Sequence, residues 1–332
     1  MQTLELPSCG IRIPPVIGKY HVTKIIGRGG FAVVVLAYDP KTLQKVAIKI
    51  IDREQTAKQD IILFLESELR LSIRFNHPNI IKVHDIIYEQ DIIMIIMDYL
   101  ENGDLQSLLN QGIHFTVEEQ IRITQQILEG LQYLHQRGIA HHDIKPENIL
   151  FDAEMNPKLI DFGLSMENSK ESHAFCGTPL YMSPEIVNLS TYDGMKSDIW
   201  ALGVTLHLMS TGHYPWNERT SQQHLKDIEH NRLQLFVETR GIIGSIIKNC
   251  LVFEAKDRSS VSDLLKIIET YNNKKTVINK ANSQTKPLTG LMNTSLPRLI
   301  PRNNTPLFTK PRAPQNKFVL PHYPANTRMY RL

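Results

Sequence analysis

Four short motifs hold most of the reactive side chains of this 332-residue chain, and they come in a fixed order: Gly27-Arg28-Gly29-Gly30-Phe31-Ala32-Val33-Val34, Val46-Ala47-Ile48-Lys49, His141-His142-Asp143-Ile144-Lys145-Pro146-Glu147-Asn148 and Asp161-Phe162-Gly163. All are phosphate-handling signals. Gly27 and Gly29 let the backbone approach phosphate oxygens where a side chain would collide or forbid the turn. Alone, such a loop is an ordinary hairpin turn about as often as a phosphate cradle. In this order, four independent motifs are hard to reach by chance.

The elements that must position them follow from periodicity. Between Tyr20 and Met97 the pattern is strand-like, with apolar runs at Val33 to Leu36 and Val46 to Ile50 separated by the turn residues Asp39-Pro40. One helix interrupts it: residues 60 to 75 repeat apolar side chains at helical spacing and stop before His77-Pro78-Asn79. After Gly103 helical periods dominate, over residues 117–136, 198–210 and 261–271. A small β-rich part precedes a larger helical one. Residues 1–19, broken by Pro7, Pro14 and Pro15, read as a short irregular extension.

The net charge of +3 hides a division. Residues 271–332 carry eleven Lys/Arg and no acid, which leaves −8 for residues 1–270. That basic tail holds eight of the 18 prolines and no sustained period, so it is expected to be disordered when unbound. Cys9, Cys176 and Cys250 are too few and scattered for a disulfide scaffold or a zinc site, which suits the cytoplasm or the nucleus. The longest strongly apolar run, Ile92 to Met97, is far short of a membrane span, and no signal pattern opens the chain, so membrane insertion is not expected. The tail's few aromatic residues make no stacking surface, and nucleic acid is not the expected partner.

Together the motifs resemble the protein kinase family from about Tyr20 to about Thr270. Lys145 and the segment Gly177-Thr178-Pro179-Leu180-Tyr181-Met182-Ser183-Pro184-Glu185 are similar to its serine/threonine branch, broadly to the calmodulin-dependent-kinase-like group. No basic amphipathic helix follows Tyr271, so calcium control is not implied. The resemblance implies an α+β bilobal fold, with an N-lobe over about 20–97 and a C-lobe over about 98–270, using ATP and Mg2+ to phosphorylate protein substrates. By the same resemblance Gly27, Gly29, Val34, Ala47 and Lys49 contact the nucleotide, the backbone of Asp98 and Leu100 meets adenine, and Met97 guards the back pocket. Lys49 pairs with a helix glutamate; counting back from His77 selects Glu68, with Glu66 as the competitor. Asp143 accepts the substrate hydroxyl proton, Lys145 steadies the transferred group, and Asn148 with Asp161 holds magnesium. Asp198 braces the catalytic loop, and Glu185 pairs with Arg258. Asp104 reaches the ribose or a basic substrate residue, or is a helix-terminal charge, and both can hold together.

Several positions depart from the family pattern. Ala32 replaces the third glycine, and Ser72 stands where an apolar residue usually packs behind the catalytic centre. His142 replaces the arginine that grips an activation-segment phosphate, and Ala174 the threonine that carries it. Both losses point to activity without that switch, with Ser165, Ser169 and Ser172 left as other acceptors. Cys176 is either a redox-sensitive thiol or the ordinary family residue. Asp104 and Glu147 match carboxylates that receive an arginine three residues before the target hydroxyl, while Leu208 replaces the acid that reads a second one. The basic tail could fold back on the acidic body or dock on an unrelated acidic partner. The rival from another class is a pseudokinase-like nucleotide-binding scaffold, which intact Lys49, Asp143, Asn148 and Asp161 oppose.

Overall fold

The computed structural model describes residues 11, 13–29, 32–53, 69–217 and 219–284. Strands β1 (Val16–Ile17), β2 (Tyr20–Arg28), β3 (Ala32–Tyr38), β4 (Lys45–Asp52), β5 (Val83–Tyr88) and β6 (Ile92–Asp98) form one antiparallel sheet. Their order is β1-β2-β3-β4-β6-β5. Side chains alternate between its faces. Val33, Val35, Ile48, Ile50, Met94 and Ile96 make one face a dry core, while Val34, Ala47 and Lys49 lie on the other.

The first face also takes up part of the segment before Tyr20. Ile11, Ile13 and Ile17 are buried in the same core as Val35 and Ile48. Val16 and Ile17 pair with His21 and Tyr20 through a turn in which Gly18 takes φ 55°, a left-handed value that favours glycine. Pro14 and Pro15 prevent a longer element, but the apolar outer face of the sheet still draws these isoleucines onto it.

The second lobe is mainly helical. It contains α1 (Leu105–Asn110), α2 (Val117–His135), the two-stranded ribbon β7 (Ile149–Phe151) and β8 (Pro157–Leu159), α3 (Pro184–Asn188), α4 (Gly194–Thr211), α5 (Ser221–Glu229), α6 (Gly241–Cys250) and α7 (Val261–Gln284). Helix α2 starts at a capping box, with Thr116 accepting from the Glu119 amide and Glu119 from the Thr116 amide. Helix α4 is buried nearly all round, as an apolar-all-round helix must be. A Cβ on Gly203 would lie 2.6 Å from Cys250, so glycine there permits the close approach of α6.

Contacts divide the chain into Met1–Tyr271 and Asn272–Leu332, and the site described below lies in the first unit. The sequence reading ends the last helix at residue 271, whereas α7 continues to Gln284. No Gly or Pro interrupts residues 272–284. No helix among the described residues is long and apolar enough to cross a membrane.

Candidate active site

The loop carrying Asp143 is fixed from below. The buried Asp198 carboxylate, on α4, accepts the His141 amide at 2.8 Å on Oδ2 and the His142 amide at 2.8 Å on Oδ1, with His135 Nε2 2.9 Å from Oδ2. Burial alone would raise the Asp198 pKa, but the His135 hydrogen bond and the neighbouring histidines bring it below the usual aspartate value. This support lets His142 adopt φ 64°, an uncommon conformation for a side chain of this size.

Above it, four polar side chains converge. Lys145 Nζ lies 2.7 Å from Asp143 Oδ2 and donates to Thr178 Oγ1 at 2.8 Å, while Thr178 Oγ1 donates to Asp143 Oδ1 at 2.7 Å. Asn148 Nδ2 donates to the Asp143 carbonyl (2.7 Å) and to its Oδ2 (2.9 Å). Thr178 was named in the sequence only as part of a motif. Its hydroxyl one residue after Gly177, which takes φ 112°, is the signal that could have found its place here.

Lys49 arrives from the sheet. In β3 and β4 it lies directly opposite Val34, and Ala47 lies opposite Met97 across β6, so Val34, Ala47, Lys49 and Met97 share one face. Lys49 Nζ is 4.0 Å from Asp161 Oδ1, and the Gly163 amide donates to the same oxygen at 3.3 Å. The surrounding protein pushes the Asp161 pKa up even though its side chain is half exposed, but Lys49, that amide, His141 and Lys145 outweigh this and hold the group below the usual aspartate value. Next to it Phe162 is buried against Phe75 (4.8 Å between centroids) and His141 (5.1 Å). Gly29 closes the strand turn by donating to the Ala32 carbonyl at 2.8 Å, and a Cβ on Gly27 would touch Val34 at 3.4 Å. The Asp98 amide donates to the Lys82 carbonyl, so an adenine contact there falls to the Asp98 carbonyl and the Leu100 amide. Glu66 and Glu68 lie outside the described residues.

The protein kinase domain profile matches residues 20–268, three quarters of the chain. The chain belongs to the protein kinase family. It is similar to CBL-interacting serine/threonine-protein kinase 12 of Arabidopsis thaliana, 35% identical over 64% of this chain and 44% of that protein. It is also similar to the carbon catabolite-derepressing protein kinase of Saccharomyces cerevisiae, 33% identical over 79% and 42%. CBL-interacting protein kinase 30 of Oryza sativa matches at 35% over 61% and 44%. The chain thus spans less than half the length of these curated relatives. They bear out the resemblance to serine/threonine kinases, and the antiparallel lobe with its helical companion is the α+β bilobal fold that the family implies.

Other positions of the family pattern are also filled. Arg258 grips Glu185 in a buried fork, Nη1 to Oε1 at 2.6 Å and Nη2 to Oε2 at 3.0 Å. Asp104 caps α1, accepting the Ser107 amide (2.8 Å) and hydroxyl (2.6 Å). Glu147 is exposed, yet the protein around it raises its pKa above the usual glutamate value, with Lys145 opposing and the Asp143 and Asp104 charges adding to the rise, so the two candidate substrate acids feel each other. Leu208 is buried in the core.

The segment that follows Asp161-Phe162-Gly163 is bolted down. Ser172 and Tyr192 exchange backbone hydrogen bonds at 2.8 and 3.0 Å, and the Tyr192 hydroxyl donates to the Ala174 carbonyl at 2.6 Å. The Tyr192 ring meets His142 edge-on, and a Cβ on Gly194 would lie 2.5 Å from that imidazole. Both His142 ring nitrogens are buried without a hydrogen-bond partner, and burial depresses the pKa, so the ring is neutral. Ser165, Ser169 and Ser172 are buried as well, with the Ser165 hydroxyl donating to the His141 carbonyl and Ser169 to that of Met166. As folded, all three are withdrawn from solvent. Burial also pushes the Cys176 thiol up to about 12, against the redox-sensitive reading.

Proposed function

We propose that this chain is an ATP- and Mg2+-dependent serine/threonine protein kinase that works without phosphorylation of its activation segment. The observation that carries the catalytic half is the closed set Asp143, Lys145, Thr178 and Asn148 facing Lys49 and Asp161. Asp143 would accept the proton of the substrate hydroxyl, with Thr178 and Asn148 holding its carboxylate in place. Lys145 would follow the phosphoryl group, and Lys49 the remaining phosphates. Asn148 and Asp161 suit magnesium: both offer hard oxygen donors, and Asp161 is ionised and half exposed. When bound, the metal would neutralise phosphate charge. Glu68 is proposed as the Lys49 partner, and Gly27, Gly29, Val34, Ala47, Asp98, Leu100 and Asp104 as the nucleotide's surroundings.

The regulatory half rests on His142 and Ala174. A neutral, buried imidazole cannot receive a phosphate dianion, and alanine cannot carry one. For substrates, the Asp104–Glu147 pair favours an arginine three residues before the target hydroxyl. The tail of +11 beside a body of −8 favours intramolecular contact that salt would weaken. A reducing compartment, cytosolic or nuclear, suits the sparse cysteines.

One assay tests the whole reading: bacterially made, phosphatase-treated full chain with labelled ATP and magnesium on a peptide array, beside Asp143→Asn. Transfer by the wild-type chain alone, with arginine favoured at minus three and weakened by Glu147→Ala, is expected. Nucleotide binding without transfer would instead support a scaffold. A loss of more than about tenfold on phosphatase treatment, roughly 1.4 kcal/mol of barrier, would defeat the regulatory half.

A further inference from the structure

Away from the catalytic cluster, one carboxylate joins two elements that phosphoryl transfer needs to hold together. Arg70 Nη2 lies 2.8 Å from Glu167 Oε2, and Arg74 Nη1 lies 3.1 Å from Glu167 Oε1. Arg70 lies in a helix whose described residues are 69–72 and Arg74 in the turn that ends it, where the Arg74 amide donates to the Leu71 carbonyl at 3.0 Å. Glu167 opens the activation segment, four residues after Gly163. Its backbone is not free to follow the arginines. Met166, its neighbour, exchanges both backbone hydrogen bonds with Ala140 at 3.1 Å, and Ala140 leads directly into His141, His142 and Asp143.

We propose that Glu167 is a positioning residue of this kinase, a built-in anion that permanently couples the N-lobe helix to the catalytic loop through Arg70 and Arg74. The proposal rests on the kinase reading. Two guanidinium groups converging on the two oxygens of one anion form a receptor of the kind that takes carboxylate or phosphate, and here the chain supplies the anion itself. The coupling runs beside an apolar one, since Phe75 at the same helix end packs on Phe162. Ser72, in the same stretch of sequence, is buried and offers fewer dispersion contacts than an aliphatic side chain would. The polar clamp adds hold where the apolar contact is thinner. It also suits a segment with neither a phosphate receptor at His142 nor a phosphate carrier at Ala174.

Exposure sets the size of the effect. The side chains of Arg70 and Arg74 are 60% and 62% exposed and that of Glu167 is 28% exposed, so solvent screens the clamp and salt weakens it further.

The test uses the full chain with Glu167→Gln, Glu167→Asp, the pair Arg70→Ala with Arg74→Ala, and all three positions changed together. Peptide phosphorylation is measured at low and at high salt, alongside thermal melting and hydrogen exchange of residues 69–75. Glu167→Gln is expected to lower turnover about fivefold at low salt and less than about twofold at high salt, with no change in melting. Glu167→Asp should recover part of the loss. In the arginine-free background Glu167→Gln should add nothing, and exchange at 69–75 should quicken in every variant that breaks the clamp. Turnover unchanged by Glu167→Gln, or an equal loss without the arginines, overturns the proposal. If the wild-type chain transfers no phosphate, the kinase reading falls on its own. The exchange rates then still decide the clamp, because rates unaltered by Glu167→Gln overturn it.

Discussion

The loop that carries Asp143 is held by side chains, whereas the strand that carries Lys49 is held by register. Around Asp143 nearly every polar atom has an assigned partner, from Lys145, Thr178 and Asn148 above to Asp198 below. Lys49 reaches Asp161 at 4.0 Å, but its backbone is set between Val34 and Ile95 by strand pairing, with Ala47 two residues away on the same face. A buried polar network fixes a charge atom by atom and fails when one atom is lost. A strand fixes it by volume and alternation, and fails gradually as packing loosens.

The largest expected effect separates the two in kinetics. Asp143→Asn should lower turnover about 10³-fold with the KM for ATP little changed, since it removes the proton acceptor rather than a nucleotide contact. Lys49→Met should raise that KM as well as lower turnover. Equal effects of both variants on KM would erase the distinction.

Stability should divide the same way. Arg258→Ala leaves Glu185 charged and buried, and is expected to cost about 3–5 kcal/mol in denaturant titration. Ile48→Val, at a fully buried position of the sheet core, should cost about 0.5–1.5 kcal/mol. A small loss for Arg258→Ala would place the support of α3 and α4 elsewhere.

Acid should loosen one lobe before the other. Among the described residues every buried histidine, His141, His142, His207 and His224, lies in the C-lobe. Burial beside Arg219 lowers His224 to about 4, its ring stacks on Trp216, and neither ring nitrogen has a hydrogen-bond partner. Because the unfolded chain binds this proton more readily, the stabilisation is full above about pH 6.5 and is lost as the pH falls toward 4, up to about 3 kcal/mol. His224→Phe, which keeps the stacking, should flatten that part of the stability-versus-pH curve. An unchanged curve would assign the acid sensitivity to the other histidines.

The convergence of Asp143, Lys145 and Asn148 was legible because the proposed chemistry demands fixed residue types at fixed spacing. Helix α4 was legible from its continuous apolar run. Thr178 was not, because a hydroxyl becomes a partner only when the chain returns 35 residues later to face Asp143. The Arg70–Glu167–Arg74 contact was hidden for the same reason, since charges 93 and 97 residues apart carry no local pattern. The burial of the three serines of the activation segment was not legible, because a sequence gives a hydroxyl's position and says nothing of its surroundings. Helix α7 outran its reading at Tyr271 because polar residues without Gly or Pro extend a helix without apolar periodicity.

The isoleucines at 11, 13 and 17 change where this protein can safely be cut. The family match begins at Tyr20, and a chain trimmed to that point would keep every residue of the proposed chemistry. It would also strip the cover from Val35, Ile48 and Met94, leaving an oily strip on the back of the sheet that invites clumping with other copies. For anyone shortening or fusing the chain, a cut in the first lobe should leave Ile11 in place.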